Sequence, residues 1–300
     1  MKKKKLVIFI VGPTASGKSK LALMLAKKIS GEIICCDSMQ VYKEIRILSQ
    51  RPSQREMQIA PHHLYGIISV KKKFDAHQYS ILAKQKIEEI HRRGNIPIVV
   101  GGTGFYVSAL LDGIFEMKSI DINYRKKLYS LAKEKGSTFL HKKLQKIDKK
   151  AAKKIHPHDL RRIIRALEVY KVTGRRISQL QKKRSGISKL YKIKIFAIDV
   201  ERDKLYERIN QRIEEMFSKG AISEIKKIKR FGQTARYALG IREIKDFLNH
   251  KTTLEEAKSL LKRNSRRYAK RQLCWFKQDN RIKWLKETSS LNQILRLINN

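Results

Sequence analysis

Three hundred residues, 41% of them hydrophobic, are enough to bury one sizeable core, or a core with a smaller appended domain. The excess of 69 Lys and Arg over 27 Asp and Glu gives a formal charge of +42, more than solubility requires, and points to a polyanionic partner such as nucleic acid. A lysine-rich codon bias would also raise that charge. Adjacent Cys35 and Cys36 with a distant Cys274 exclude an even-numbered disulfide framework and any metal-type spacing, and no stretch approaches the roughly 20 apolar residues of a membrane span.

Lysines 2–5 followed by the apolar run Leu6–Val11 resemble a secretory leader, but the run is cut short by Gly12 and Pro13. A cytoplasmic protein that does not engage a membrane is therefore expected. The same run fits a strand buried on both faces. A helical pattern over 18–29, strand-like runs over 32–36 and 96–100, and a helical pattern over 75–92 follow. That alternation predicts an α/β fold, a parallel doubly wound sheet flanked by helices. From about residue 119 the pattern changes to basic helices, for example 124–135 and 159–172, with no buried strand evident. Residues 119–186 read as an inserted all-helical domain. A strand over 191–200 resumes the core, and the remainder to 300 reads as mostly helical, with 254–276 the longest candidate. The expected division is thus 1–118 with 187–300, and 119–186.

Chemistry concentrates after the predicted strands. Gly12, Pro13, Thr14, Ala15, Ser16, Gly17, Lys18 and Ser19 satisfy the P-loop pattern in the strand-to-helix context it requires. Gly12 and Gly17 permit backbone conformations that let successive amides converge on phosphate oxygens at the positive end of the next helix. Lys18 adds a point charge, and the Ser19 hydroxyl can join a Mg²⁺ shell. The loop does not say whether its phosphate belongs to a nucleotide or to another diphosphate. Asp37 closes the second strand at the same sheet edge, where ligands bind. Base or substrate ligand, Mg²⁺-shell acid and helix cap all remain open for it. Gly101, Gly102, Thr103 and Gly104 follow the third strand. Their glycines leave room for close backbone approach, and Thr103 is expected to present its hydroxyl to the phosphates that Lys18 meets, although a plain tight turn would read the same. His62, His63 and His156 pair with no evident nucleophile or metal set and read as structural.

The sequence resembles the bacterial tRNA dimethylallyltransferases, nearly end to end. The resemblance rests on GPTASGKS at 12–19, DSMQVY at 37–42, PHHL at 61–64, GGTGFY at 101–106, HPHDLRRIIRALEVY at 156–170 and RRYAKRQLCWF at 266–276. It implies a P-loop NTPase-like core and transfer of a dimethylallyl group from dimethylallyl diphosphate, with Mg²⁺ as cofactor. The acceptor it implies is the N6 amine of the adenosine 3′-adjacent to the anticodon in tRNA. By the same resemblance the P-loop grips a leaving diphosphate, with Asp37 and Thr103 as catalytic residues and Ser19 at the metal. Asp37, Ser38, Met39, Gln40, Arg125, Arg161, Arg162 and Arg165 are the implied tRNA contacts, and a monomer is expected. With no zinc-finger extension following Asn300, the likeness is expected to be to the bacterial branch.

Three departures touch the fit to RNA. Leu48-Ser49-Gln50-Arg51-Pro52 stands where the family usually has Gly-Thr-Ala-Lys-Pro, Gly240-Ile241-Arg242-Glu243 loses a tyrosine hydroxyl, and His158 replaces an Asn. Two other classes compete. A small-molecule phosphotransferase shares the P-loop but leaves the basic insertion and the Arg-rich helix near the C-terminus unexplained. An RNA-binding ATPase explains the charge but not the Gly-Gly-Thr turn. A prenyltransferase acting on free adenine nucleotides differs in acceptor alone and needs no large basic surface.

Overall fold

The computed structural model describes residues 4–115, 121–182 and 184–299. The chain separates into two compact units, one made of 1–111 with 187–300 and the other of 112–186. The second unit begins at Asp112, seven residues before the change of pattern read from sequence, because helix Gly104–Leu111 closes the first. No helix among the described residues is long and apolar enough to cross a membrane.

The first unit is a six-stranded sheet: β1 Leu6–Val11, β2 Gly31–Cys35, β3 His62–His63, β4 Ile96–Gly101, β5 Lys192–Asp199 and β6 Ile282–Lys286. Its order is β3-β2-β4-β1-β5-β6 and each neighbouring pair is parallel. Continuous apolar runs make the central strands: Val7 to Val11 are wholly buried, as a parallel strand covered on both faces requires. Leu21, Ala22 and Leu25 of helix Lys18–Lys28 pack on Ile8, Ile10, Ile33 and Ile98 and meet Ile294 of helix Ser290–Asn299 in the same cluster. Helix Ala76–Arg92 starts where Asp75 accepts the His77 and Gln78 amides at 3.1 Å each while Gln78 accepts the Asp75 N–H, a reciprocal cap.

The two edge strands escaped the sequence pattern. β3 is two residues long, and β6 alternates buried Ile282 and Leu285 with exposed lysines, so the region read as mostly helical contains a strand. Short and lysine-bearing edges are how sheets avoid pairing with other chains. Below the central strands, Glu32 of β2 is buried and takes hydrogen bonds from His63 at 2.6 Å, Arg93 at 3.0 and 2.7 Å, and Asn95 at 2.8 Å. Burial alone would raise its pKa, but those donors bring it down to about 2. β2, β3 and the turn into β4 are pinned together there.

The second unit is helical: Ile122–Lys135, Ser137–Ile147, Lys149–Lys154, Leu160–Thr173 and Ile177–Lys182. No strand occurs among its described residues. Leu128, Leu140, Leu144, Ile163, Ile164 and Leu167 form its own core. Both of its ends meet, since a Cβ at Gly113 would sit 2.6 Å from the Ser185 carbonyl, which is the geometry of a segment inserted into a loop.

Candidate active site

Parallel pairing places the loops after β1, β2 and β4 on one edge, and the strand order β2-β4-β1 makes those loops neighbours. The loop after β1 is the predicted P-loop, with Gly12, Ala15 and Gly17 at φ 138°, 62° and 85°. These positive angles curl the chain so that the free amides of the first turn of helix Lys18–Lys28 face the loop's hollow. The Lys18 ammonium donates to the Pro13 carbonyl at 3.0 Å. Burial and the Arg212 charge bring its pKa down to about 8 against the opposing pull of Asp37. The Ser16 hydroxyl is fully buried and has no hydrogen-bond partner among the described residues. An orphaned hydroxyl in such a cradle calls for an acceptor from outside the chain.

Asp37 lies just past β2. Its Oδ1 accepts the Met39 amide at 2.9 Å and the Gln40 amide at 3.4 Å, so one carboxylate oxygen holds the turn over residues 37–40. None of the described hydrogen bonds reaches Oδ2. The helix cap, one alternative from sequence, is replaced by a turn cap, since the next helix begins only at Arg46, and this use of Oδ1 leaves the other oxygen for a reactive role. Ser38 donates its amide to the Thr103 hydroxyl at 3.0 Å, and the two hydroxyls lie 3.3 Å apart. Thr103 is thereby tied to the Asp37 turn.

The glycines after β4 make room for protein. A Cβ at Gly101 would lie 2.0 Å from the Cys36 carbonyl oxygen, and one at Gly102 would lie 2.2 Å from Gln272 Nε2. Gln272 donates to the Gly102 carbonyl at 2.8 Å and accepts the Thr14 amide at 2.9 Å. It comes from helix Leu254–Lys277, as does Tyr268 one turn earlier. Burial and Asp37 push the Tyr268 hydroxyl up to about 12, so it remains a donor beside Thr103 and Gln272.

Arg212, from helix Arg202–Ser218, donates to the Thr14 hydroxyl at 2.9 Å. Burial lowers its pKa while Asp37 and Glu215 raise it, and its Nε is buried without a partner. Sequence reading missed Arg212, Tyr268 and Gln272. The signal was present: Leu205, Ile209, Ile213 and Met216 mark a buried stripe that Arg212 joins, and Gln272 sits on the stripe of Leu261, Ala269 and Phe276. Two neighbouring aromatic residues of the same helix differ in burial, for Phe276 is buried but Trp275 is exposed.

These groups line a cavity of about 310 Å³. Thr14, Lys18, Ser19, Asp37, Ser38, Gln40 and Arg212 supply its polar wall, and Ile45, Leu48, Ile209, Ile213, Met216 and Leu261 an apolar one. Met39 lines it too. Gln40 spends both amide hydrogens on the Ser49 and Gln50 carbonyls, at 3.0 and 2.9 Å, which shapes the wall. Leu48, one of the departures, fills space against Gly240, where a Cβ would meet it at 2.4 Å.

In the helical unit, Arg125 gives two donors to the wholly buried Glu168, one of them at 2.7 Å from Nη2, and its pKa is raised by that hydrogen bonding. Arg165 is half-buried, and its pKa is lowered by burial and raised by the same Glu168. Arg161 and Arg162 are exposed, Arg162 with Asp159 at 3.2 Å. His62 contacts the Ala60 carbonyl and His63 belongs to Glu32, while no group of three or more His, Cys, Asp and Glu among the described residues is arranged to hold a metal.

Comparison with known proteins decides what this arrangement belongs to. Residues 40–279 match the IPP transferase family model. The chain belongs to the IPP transferase family. Among curated relatives of this family member, the tRNA dimethylallyltransferase of Carboxydothermus hydrogenoformans is 48% identical over 282 residues, covering 93% of this chain and 91% of the relative. That of Caldanaerobacter subterraneus is 42% identical over 289 residues, covering 93% and 90%. The crystal structure of the tRNA isopentenylpyrophosphate transferase from Bacillus halodurans superposes with a TM-score of 0.72 at 41% identity, over 99% of this chain and 96% of that one. A eukaryotic dimethylallyltransferase acting on tRNA superposes at 0.78 and 31% identity, covering 94% and 74%. An IPP transferase fold is therefore what carries the cavity.

Proposed function

We propose that this family member transfers the dimethylallyl group of dimethylallyl diphosphate to the N6 amine of the adenosine 3′-adjacent to the anticodon in tRNA, releasing diphosphate and using no ATP. The observation that carries the reading is a single cavity in which the Asp37 carboxylate, Lys18 of a phosphate-type loop, Arg212 of helix Arg202–Ser218 and an apolar wall stand together. An adenine amine is a poor nucleophile because its lone pair is delocalised into the ring. Asp37 Oδ2 accepts an amine proton as the N6–C1 bond forms and the C1–O bond to diphosphate breaks, with the bonding electrons leaving on oxygen. General-base help of this kind contributes about 10² to 10⁴ in rate. Lys18, Arg212 and the amides at the start of helix Lys18–Lys28 offset the charge that develops on the leaving group. Ile209, Ile213 and Met216 offer the five-carbon group a water-poor surface beside Arg212.

The donor set also suits Mg²⁺. Ser19 lines the cavity, Asp37 is the one acid among the lining residues, and Mg²⁺ is ordinarily held by few protein ligands together with phosphates and waters. The Ser19 hydroxyl would hold it on the diphosphate, where it supplies further charge neutralisation. Arg161, Arg162 and Arg165 are assigned to the RNA backbone, a role their position on one helix allows.

The test is transfer of label from dimethylallyl diphosphate to unmodified tRNA with Mg²⁺, beside tubes containing free adenosine monophosphate or ATP alone. Label on tRNA without ATP is expected, and Asp37→Asn should retain tRNA binding while losing about 10² to 10⁴ in kcat. Label on the free nucleotide alone would overturn the acceptor, and ATP hydrolysis without transfer would overturn the reaction.

A further inference from the structure

The β1–β4 ladder ends at the pair Val11 and Gly101. Beyond it the two strands part, one into the P-loop and the other into the turn that carries Thr103. A separation at that point leaves backbone groups of both loops in the interior without a ladder partner. Gln272 occupies the gap. It is 5% exposed, its Oε1 takes the Thr14 N–H at 2.9 Å and its Nε2 donates to the Gly102 carbonyl at 2.8 Å. The turn has no space for a side chain there, since a Cβ at Gly102 would fall 2.2 Å from Nε2.

From each end of this strut a chain of contacts leads to one half of the site. Thr14 accepts Arg212 on its hydroxyl at 2.9 Å, and Thr103, next after Gly102, accepts the Ser38 amide at 3.0 Å beside Asp37. We propose that Gln272 is a positioning residue that sets the register between the diphosphate cradle and the Asp37 side of the cavity. The inference rests on the transfer reading above. At neutral pH a primary amide supplies one donor and one acceptor on the same planar group at this length where an ionised carboxylate supplies acceptors alone, so the role belongs to glutamine and not to bulk. A reacting pair displaced by about 1 Å costs on the order of 10²-fold in rate, so a loosened strut should be felt in turnover.

The experiment compares wild type, Gln272→Leu and Gln272→Glu in steady-state transfer, varying each substrate in turn from about pH 6 to about pH 8. Gln272→Leu keeps most of the volume and removes both bonds. Its kcat is expected to fall roughly 10- to 100-fold with the KM for tRNA within about twofold of wild type. Gln272→Glu keeps the acceptor for Thr14 but at neutral pH sets a carboxylate oxygen against the Gly102 carbonyl. Protonation restores a donor, so its rate relative to wild type should rise several-fold as pH falls across that range. A kcat for Gln272→Leu within twofold of wild type overturns the proposal. So does a flat pH ratio for Gln272→Glu, which alone decides the matter if Gln272→Leu does not fold. If wild type itself transfers no label, the reaction reading fails instead. The strut is then judged by calorimetric affinity for inorganic diphosphate: an acid-restored affinity in Gln272→Glu supports it, and an affinity equal to wild type at all pH values overturns it.

Discussion

Two arginines, one in each compact unit, are held in opposite ways. Arg125 of the helical unit meets a buried carboxylate, Glu168, with two donors, and the pair neutralises itself. Arg212 of the α/β unit donates to a neutral hydroxyl, keeps a buried Nε without a partner and shares its surroundings with the like charge of Lys18. A charge that the chain neutralises is a means of packing. A charge gathered with another cation in one cavity is stored against a ligand of opposite sign, and burial works against both cations until that ligand arrives.

Between these two arginines the larger expected effect on transfer therefore falls on Arg212. Arg212→Gln should lower kcat/KM for dimethylallyl diphosphate by about 10²-fold, the usual loss for removing one donor from a developing oxyanion, while thermal stability stays near wild type or rises. Loss of stability with unaltered kcat/KM would move Arg212 into the same class as Arg125. A smaller effect sharpens the contrast through pH. Lys18 is cationic below its pKa, and that pKa lies near 8, so kcat/KM for the donor should fall by up to about tenfold per pH unit as pH rises beyond 8. The decline belongs to the free enzyme. Saturating donor should shift it upward, since a bound diphosphate favours the charged lysine. A kcat/KM that is flat to pH 10 would mean that Lys18 does not meet the diphosphate as a cation.

The same contrast explains what the sequence disclosed. Central strands were legible because burial on both faces writes an unbroken apolar run, as in Leu6–Val11, and the P-loop because glycine and lysine spacing is tied to a local backbone path. Strand β6 was hidden by Lys283 and Lys286, which an edge position tolerates. Arg212 and Gln272 were hidden for another reason: each is a single polar residue on an amphipathic helix, and its meaning lies in a partner 198 or 258 positions away. Thr103 was identified as important, but its contact with Ser38 depends on the order β2-β4-β1, which no local pattern encodes. The resemblance implies a tRNA contact for Arg125, whereas its pairing with Glu168, 43 residues on and on another helix, is one that nothing local announces.

That pairing provides the prediction with the least direct consequence for transfer. Arg125→Gln leaves Glu168, wholly buried, without its cation. Breaking a fully buried pair costs about 3 to 5 kcal/mol; because the Arg125 side chain is 38% exposed, about 2 kcal/mol is the expected loss in denaturant unfolding. Adding Glu168→Gln should recover most of it, since the uncompensated charge and not the missing bond is the main cost. By contrast Arg161→Gln, at an exposed position, should change stability by less than about 0.5 kcal/mol while weakening tRNA binding and lowering the slope of affinity against salt by about one. Should Arg125→Gln instead flatten the salt dependence at unchanged stability, Arg125 would leave Glu168 for a phosphate on binding, and the division between charges kept for packing and charges kept for ligand would not run between the two units.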